Sequence, residues 1–295
     1  MAIHYERLKA RVFAPVRQQY RHTDCQLYAL SLGLGSDPLD TGTLPYLYEG
    51  VPGGLRTLPT MVTVLGYPGY WVREPDSGID WKRMVHGEQR IVLHQPLPAE
   101  GLVTGTNRVT HIVDKGEGKG AIVVVERQLT DAQGQAMATL QQLMFCRGDG
   151  GYSSQLGGQP SDSPLEPLSP PPLERAADFV DVHATRPESA LLYRLLGDSN
   201  PLHADPAVAR SAGFERPILH GLATYGVAAH ALLRQCGHLY PGAHLRALDV
   251  RFTSPVYPGE TLRTEIWRQG SQLQFQTRVV ERDVVVLSHG WAEFA

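Results

Sequence analysis

One order of sequence patterns runs twice along this chain, and that repetition restricts the fold more than any other feature. Leu27-Tyr28-Ala29-Leu30 is echoed by Leu192-Tyr193-Arg194-Leu195, and Leu58-Pro59-Thr60 stands where Arg216-Pro217-Ile218 stands later. Leu97-Pro98-Ala99-Glu100-Gly101 corresponds to Tyr257-Pro258-Gly259-Glu260, and Val124-Val125-Glu126-Arg127 to Val279-Val280-Glu281-Arg282. Each half therefore reads as helix, helix, then antiparallel meander, an α+β class. Between the halves, residues 147–173 are dense in Gly, Ser and Pro, a composition that packs no element of its own. The expected division is a first unit at 1–150, a linker at 151–173 and a second unit at 174–295.

At 295 residues the chain is long enough for two domains of about 150 residues, each able to bury a core. Its 42% hydrophobic and 19% charged residues are ordinary for a globular protein. A net charge of -3 with no basic run recruits neither nucleic acid nor an anionic membrane, so small-molecule chemistry is expected. No apolar run approaches the ~20 residues that span a bilayer. The first residues lack a signal-peptide core and the final Ala292-Glu293-Phe294-Ala295 is no Ser-Lys-Leu address, so the expected location is cytoplasmic. Cys25, Cys146 and Cys236 lie far apart without CxxC spacing and read as buried free thiols.

Taken in order, the chain suggests a strand around Ala10–Ala14 and a helix through Gln26–Leu32 capped by Thr23 or Asp24. Pro59–Gly66 reads as a second short helix or buried segment. Strands are expected at Glu88–Gln95, Leu102–Val113, Ala121–Thr130 and Ala136–Cys146, then at Thr261–Arg268, Leu273–Val280 and Val284–Trp291.

The densest chemistry lies between Gly197 and Gly221, where Asp198, Asn200 and His203 fall within six residues. Ile218, Leu222, Tyr225, Ala229, Leu232 and Cys236 then form one apolar helical stripe, stopped by Gly237. Pro217 suits the start of that helix, and amides near Gly221 have no intrahelical carbonyl, so they can hold a developing negative charge. Alone, Asp198 reads as a turn residue bonding nearby amides. His203 with Asp205 and His220 offers metal donors, but Asp205-Pro206 better fits a cap opening a helix through Ser211. His220, His230, His238 and His244 read as surface or satisfied histidines. Gly197-Asp198-Ser199 would make Ser199 a nucleophile only on a strand-to-helix turn of a parallel sheet, which this repeat lacks. Arg210, Arg216, Arg246 and Arg251 suit phosphate, yet scattered arginines are usually solvated.

The order Asp-x-Asn-Pro-Leu-His-x-Asp-Pro, then Ala-Gly-Phe-x-x-Pro-Ile-Leu-His-Gly, resembles the signature of the MaoC-like (R)-specific 2-enoyl-CoA hydratases, the type-two hydratases of fatty-acid oxidation. The match includes Asp198, Asn200, Pro201, His203, Asp205, Gly213, Phe214, Pro217, His220 and Gly221. The resemblance implies two fused hotdog units, each a long helix against a curved antiparallel sheet. It implies that Asp198 and His203 hold a water and exchange its protons, that the Gly221 amide polarises a thioester carbonyl, and that Asn200 supports the site. Tyr193, Tyr28 and Glu49 would stand behind them. Gly33–Pro38, the matching region of the first half, has no imidazole, so one active site per chain is expected and the first half would receive the acyl tail. The implied substrate is an acyl-CoA thioester, with no metal or redox cofactor, and a homodimer is expected. Three alternatives stay open: a dehydratase of acyl groups on acyl carrier protein, a non-catalytic acyl-thioester-binding protein, and a thioesterase.

Overall fold

The computed structural model describes residues 3–154 and 158–295. The first half runs α1 (Tyr5–Lys9), β1 (Val16–Tyr20), α2 (His22–Ser31), β2 (Met84–Leu93), β3 (Gly101–Asp114), β4 (Ala121–Thr130) and β5 (Ala136–Cys146). The second runs β6 (Phe179–Ala184), α3 (Ser189–Tyr193), α4 (Pro206–Ser211), α5 (Gly221–Cys236), β7 (Leu245–Phe252), β8 (Thr261–Gln269), β9 (Gln272–Val279) and β10 (Val284–Phe294). All ten strands join one sheet in the order β1-β3-β4-β5-β2-β7-β10-β9-β8-β6. The two meanders meet where β2 pairs antiparallel with β7, Glu88 opposite Arg251 and Val92 opposite Ala247. Backbone ladders thus continue from one half into the other, and neither half has an open strand edge at the junction.

Helix α5 lies on one face of this sheet and is buried almost all round, from Ala223 to Leu232. Its small residues let the chain approach closely. A Cβ on Gly226 would lie 2.7 Å from Leu32 Cδ1 and 2.9 Å from the Tyr28 hydroxyl, so α2 of the first half packs directly on α5. Tyr225 fixes the helix to the sheet by donating to the Leu248 carbonyl at 2.7 Å. On β2 and β7, Ile91, Leu248 and Val250 face α5 in the core. The alternating Glu88, Arg90, Asp249 and Arg251 lie on the opposite face, as a period of two requires.

That opposite face is crossed by the connection between the halves. Asp162 N–H donates to Ile112 O of β3 at 2.9 Å, and Arg90 of β2 donates to Glu166 O at 2.9 Å. Gln274 of β9 donates to Pro170 O at 3.0 Å, and Trp267 of β8 to Arg175 O at 3.1 Å. Among the described residues from 158 to 178 there is no helix or strand, so the segment is held by a main-chain bond to β3 and by side chains reaching out from β2, β8 and β9.

Several local expectations need correction. The strand expected at Ala10–Ala14 is absent; α1 precedes it and β1 begins only after Pro15, which has no N–H for a ladder. The cap of α2 is Arg21, while Asp24 sits three residues on and accepts from the Arg21 N–H at 2.8 Å. Helix α5 starts at Gly221 rather than near Pro217, because Leu219 N–H is given to Val256 O at 2.7 Å and holds the preceding residues extended. Strands β6 and β7 were not among those expected. Finally, among the described residues the first unit has no long helix. Its counterpart is a buried 3₁₀ segment, Pro59–Val64, whose Pro and four β-branched residues disfavour a regular α-helix. Cys25, Cys146 and Cys236 are buried and free, as expected.

Candidate active site

Between α3 and α5 the chain makes a series of short turns, each fixed by a side chain. Asp198 Oδ1 accepts the Asn200 N–H at 3.0 Å, and Asn200 Oδ1 accepts the Leu202 N–H at 3.1 Å, capping the 3₁₀ turn Pro201–His203. Asp205 caps α4 by accepting from Ala207 N–H at 2.7 Å. These bonds set where His203 points. Its Nδ1 lies 2.8 Å from Ile218 O, and a carbonyl only accepts, so Nδ1 carries the proton and Nε2 is left with a lone pair in the neutral ring. Burial holds the His203 pKa below its ordinary value, against the opposing pull of the Ile218 bond and Asp198. The imidazole is therefore uncharged near neutral pH.

The structure brings Asp198 and His203 together and adds a residue that the sequence reading set aside. Asp198, His203 and His220 each present a ligand atom within 4.8 Å of the others. His220 is 2% exposed, where a surface or satisfied histidine was expected, and among the described residues neither ring nitrogen has a hydrogen-bond partner. Its ring stacks on His203 with centroids 3.7 Å apart at 25°, and Tyr193 lies 4.8 Å away on another side. Its Nε2 is 3.9 Å from Asp198 Oδ2. Burial, then His203 beside it, push the His220 pKa down to about 2.

Gly221 is the first residue of α5, with His220 as its cap. A Cβ there would meet the Phe252 ring at 3.2 Å, and the His86 ring of β2 packs against Phe252 at a tilt of 56° with centroids 4.7 Å apart. The helix start is thus backed by aromatic rings from both halves. Tyr193 and Tyr28 are buried, 6.0 Å apart by ring centroid, and among the described residues neither hydroxyl has a hydrogen-bond partner. They line the core behind His220. Glu49 is not joined to this cluster: it is exposed and accepts from Gln26 Nε2 at 3.0 Å. Asn200 has its amide oxygen committed to Leu202, so it shapes the loop.

Two tyrosines from the first half also belong to the site's surroundings. Burial raises the pKa of Tyr67 and Tyr70, and the negative charge of Asp198 raises both further. Tyr67 in turn packs under Arg127, whose Nη1 donates to Thr63 O at 3.0 Å. Only a repeat spacing precise enough to align the two halves residue by residue would have pointed to them.

The Asp198–His203–His220 group could in principle hold a metal, but the ring geometry fits poorly. Metal ligands converge on one point at about 2.0–2.2 Å, whereas rings stacked at 25° direct their nitrogen lone pairs side by side. Asp198 and His203 suit a shared water better, since one oxygen can sit at about 2.8 Å from two atoms less than 4.8 Å apart.

Comparison with known proteins gives two domain matches, "MFE-2 hydratase 2 N-terminal domain" over residues 18–148 and "MaoC like domain" over residues 169–289. The chain is 37% identical over 278 residues to the enoyl-CoA hydratase ChsH3 of Mycobacterium tuberculosis, covering 94% of this chain and 93% of that protein. It is 38% identical over 291 residues to 3-hydroxyacyl-thioester dehydratase Y of the same organism, covering 96% of each. Among solved structures, a MaoC-like dehydratase from Phytophthora capsici superposes with a TM-score of 0.83 at 31% identity, covering 99% of both chains. Peroxisomal multifunctional enzyme type 2 of Drosophila melanogaster superposes at 0.80 with 32% identity, over 95% of this chain and 48% of that one.

Proposed function

Because the chain belongs to the MaoC-like hydratase 2 family, a double hotdog, we propose that it adds water across the double bond of a trans-2-enoyl-CoA to give the (3R)-3-hydroxyacyl-CoA. A hydratase/dehydratase activity in fatty-acid metabolism follows from its relatives. The residue roles and the stereochemistry are our reading. Asp198 and His203 share one water, the carboxylate from a half-exposed position and the imidazole through Nε2. As the water oxygen bonds C3, its proton passes to this pair and charge moves to the thioester oxygen. The Gly221 N–H, at a helix start with no intrahelical acceptor, stabilises that oxygen. A proton returned to C2 completes the addition, and the reverse sequence is dehydration.

The observation that carries this reading is the Nδ1–Ile218 bond at 2.8 Å, which holds a neutral imidazole beside Asp198 with its other nitrogen free. The first half, with its 3₁₀ segment in place of a long helix, is proposed to receive the acyl tail. The test is loss of enoyl-thioester absorbance with crotonyl-CoA and a longer trans-2-enoyl-CoA, followed by chiral analysis of the product. The expected product is the (3R) alcohol, formed about 10²- to 10⁴-fold more slowly by Asp198→Asn. Release of free coenzyme A instead would make the protein a thioesterase, and binding without turnover would make it an acyl-thioester carrier.

A further inference from the structure

We propose that His220 is a positioning residue whose Nε2–H turns the Asp198 carboxylate toward the water it shares with His203. The inference rests on the reaction proposed above and adds a third group to it. Both His220 nitrogens are buried and unpartnered, and the neutral ring must still carry one N–H. An orphaned buried donor is unfavourable and is kept where another requirement holds it. Asp198 Oδ2 lies 3.9 Å from Nε2, about 1 Å beyond hydrogen-bond reach, and the Asp198 main chain also faces the ring and favours its proton.

The ring itself cannot close that gap. It is sandwiched between His203 and Tyr193, and its carbonyl is fixed by Ala223 N–H at 3.0 Å and Thr224 N–H at 3.2 Å at the start of α5. The Asp198 carboxylate is the partner with room to turn: its side chain is 43% exposed, and with Oδ1 accepting the Asn200 N–H at 3.0 Å, Oδ2 is the oxygen left to swing toward the ring. A bound thioester strips solvent from the exposed side, and the carboxylate then gains most by rotating onto the fixed donor. Such contacts are commonly long before substrate binds and tighten afterwards. Because burial and His203 keep His220 uncharged, it orients the carboxylate without neutralising it. Asp198 stays a base.

The arrangement extends a general pattern, in which a base is aligned by a third group that never meets the substrate. Tyr67 and Tyr70 also feel the Asp198 charge and are the competing candidates for that alignment.

The test compares crotonyl-CoA hydration by wild type, His220→Leu, His220→Gln, Asp198→Asn and the double variant Asp198→Asn/His220→Leu. Removing a hydrogen bond to a charged group should lower kcat by about 10- to 100-fold with KM nearly unchanged. Glutamine, which carries a donor at similar reach, should restore most of it. In the Asp198→Asn background the leucine change should cost less than about twofold, because its partner is gone. Equal losses in both backgrounds, or a glutamine variant as impaired as leucine while melting like wild type, would overturn the proposal. A wild type that does not hydrate, or an Asp198→Asn variant as fast as wild type, counts against the reaction itself. Imidazole ¹⁵N spectra of the wild type with saturating 3-hydroxybutyryl-CoA give an independent reading: the proton should sit on Nε2 of His220, and a proton on Nδ1 rules the role out.

Discussion

Asp198 and His203 divide one water between a half-exposed carboxylate and a buried imidazole, so replacing either should act on turnover far more than on folding. Asp198→Asn and His203→Ala should each lower kcat by about 10²- to 10⁴-fold, measured at saturating crotonyl-CoA with circular dichroism to check the fold. Gly221→Ala tests the amide behind them. Its new Cβ would lie 3.2 Å from Phe252, and a ring already packed against His86 has little room to retreat. The amide should shift and kcat fall by about 10²-fold or more, with chemistry rather than binding affected. The grouping of Asp198, Asn200 and His203 was legible because they fall within six residues along the chain, in turns that Asp198 and Asn200 fix. His220 was misread because its neighbours come from α3, α5 and the Pro201–His203 turn, which meet only in space. Tyr67 and Tyr70 were invisible for the same reason, one step further removed.

Among elements, the contact of α2 with α5 decides how the halves fit. Gly226→Val would place branched carbons where Leu32 and the Tyr28 hydroxyl already sit, so a destabilisation of about 1–3 kcal/mol is expected, read as a fall in Tm of several degrees. The central strands other than β7 were readable from their apolar content, and α5 from its stripe. The 3₁₀ segment Pro59–Val64 was not distinguishable from a helix, because an apolar run of that length fits either. β6 has Val180 and Val182 on its exposed side, so an edge strand carries a weaker alternation than the core strands do.

For the whole molecule, the seam between β2 and β7 links stability to pH. Asp249 lies opposite Arg90 there, and burial raises its pKa to about 6, partly opposed by Arg90. Below about pH 4 the carboxyl is neutral in both the folded and unfolded chain. Between about pH 4 and 6 the unfolded chain sheds the proton more readily, so stability falls across that window and the deficit persists above it. Asp249→Asn should therefore melt higher than wild type at pH 7.5, by an amount on the order of 1–2 kcal/mol, and the difference should vanish near pH 4. Equal Tm values at both pH values would show that the seam does not titrate.

The segment laid across the outside of the sheet also sets a timetable for a ribosome that delivers the chain from its first residue. Asp162 and Glu166 find Ile112 and Arg90 already made, so the near end of the segment can dock at once. Pro170 must wait for Gln274, synthesised 104 residues later, and Arg175 waits 92 residues for Trp267. A stretch left idle for that long, had it been apolar or rich in strand formers, would be exposed to premature pairing. Prolines and serines let it stay uncommitted until β8 and β9 arrive to receive it.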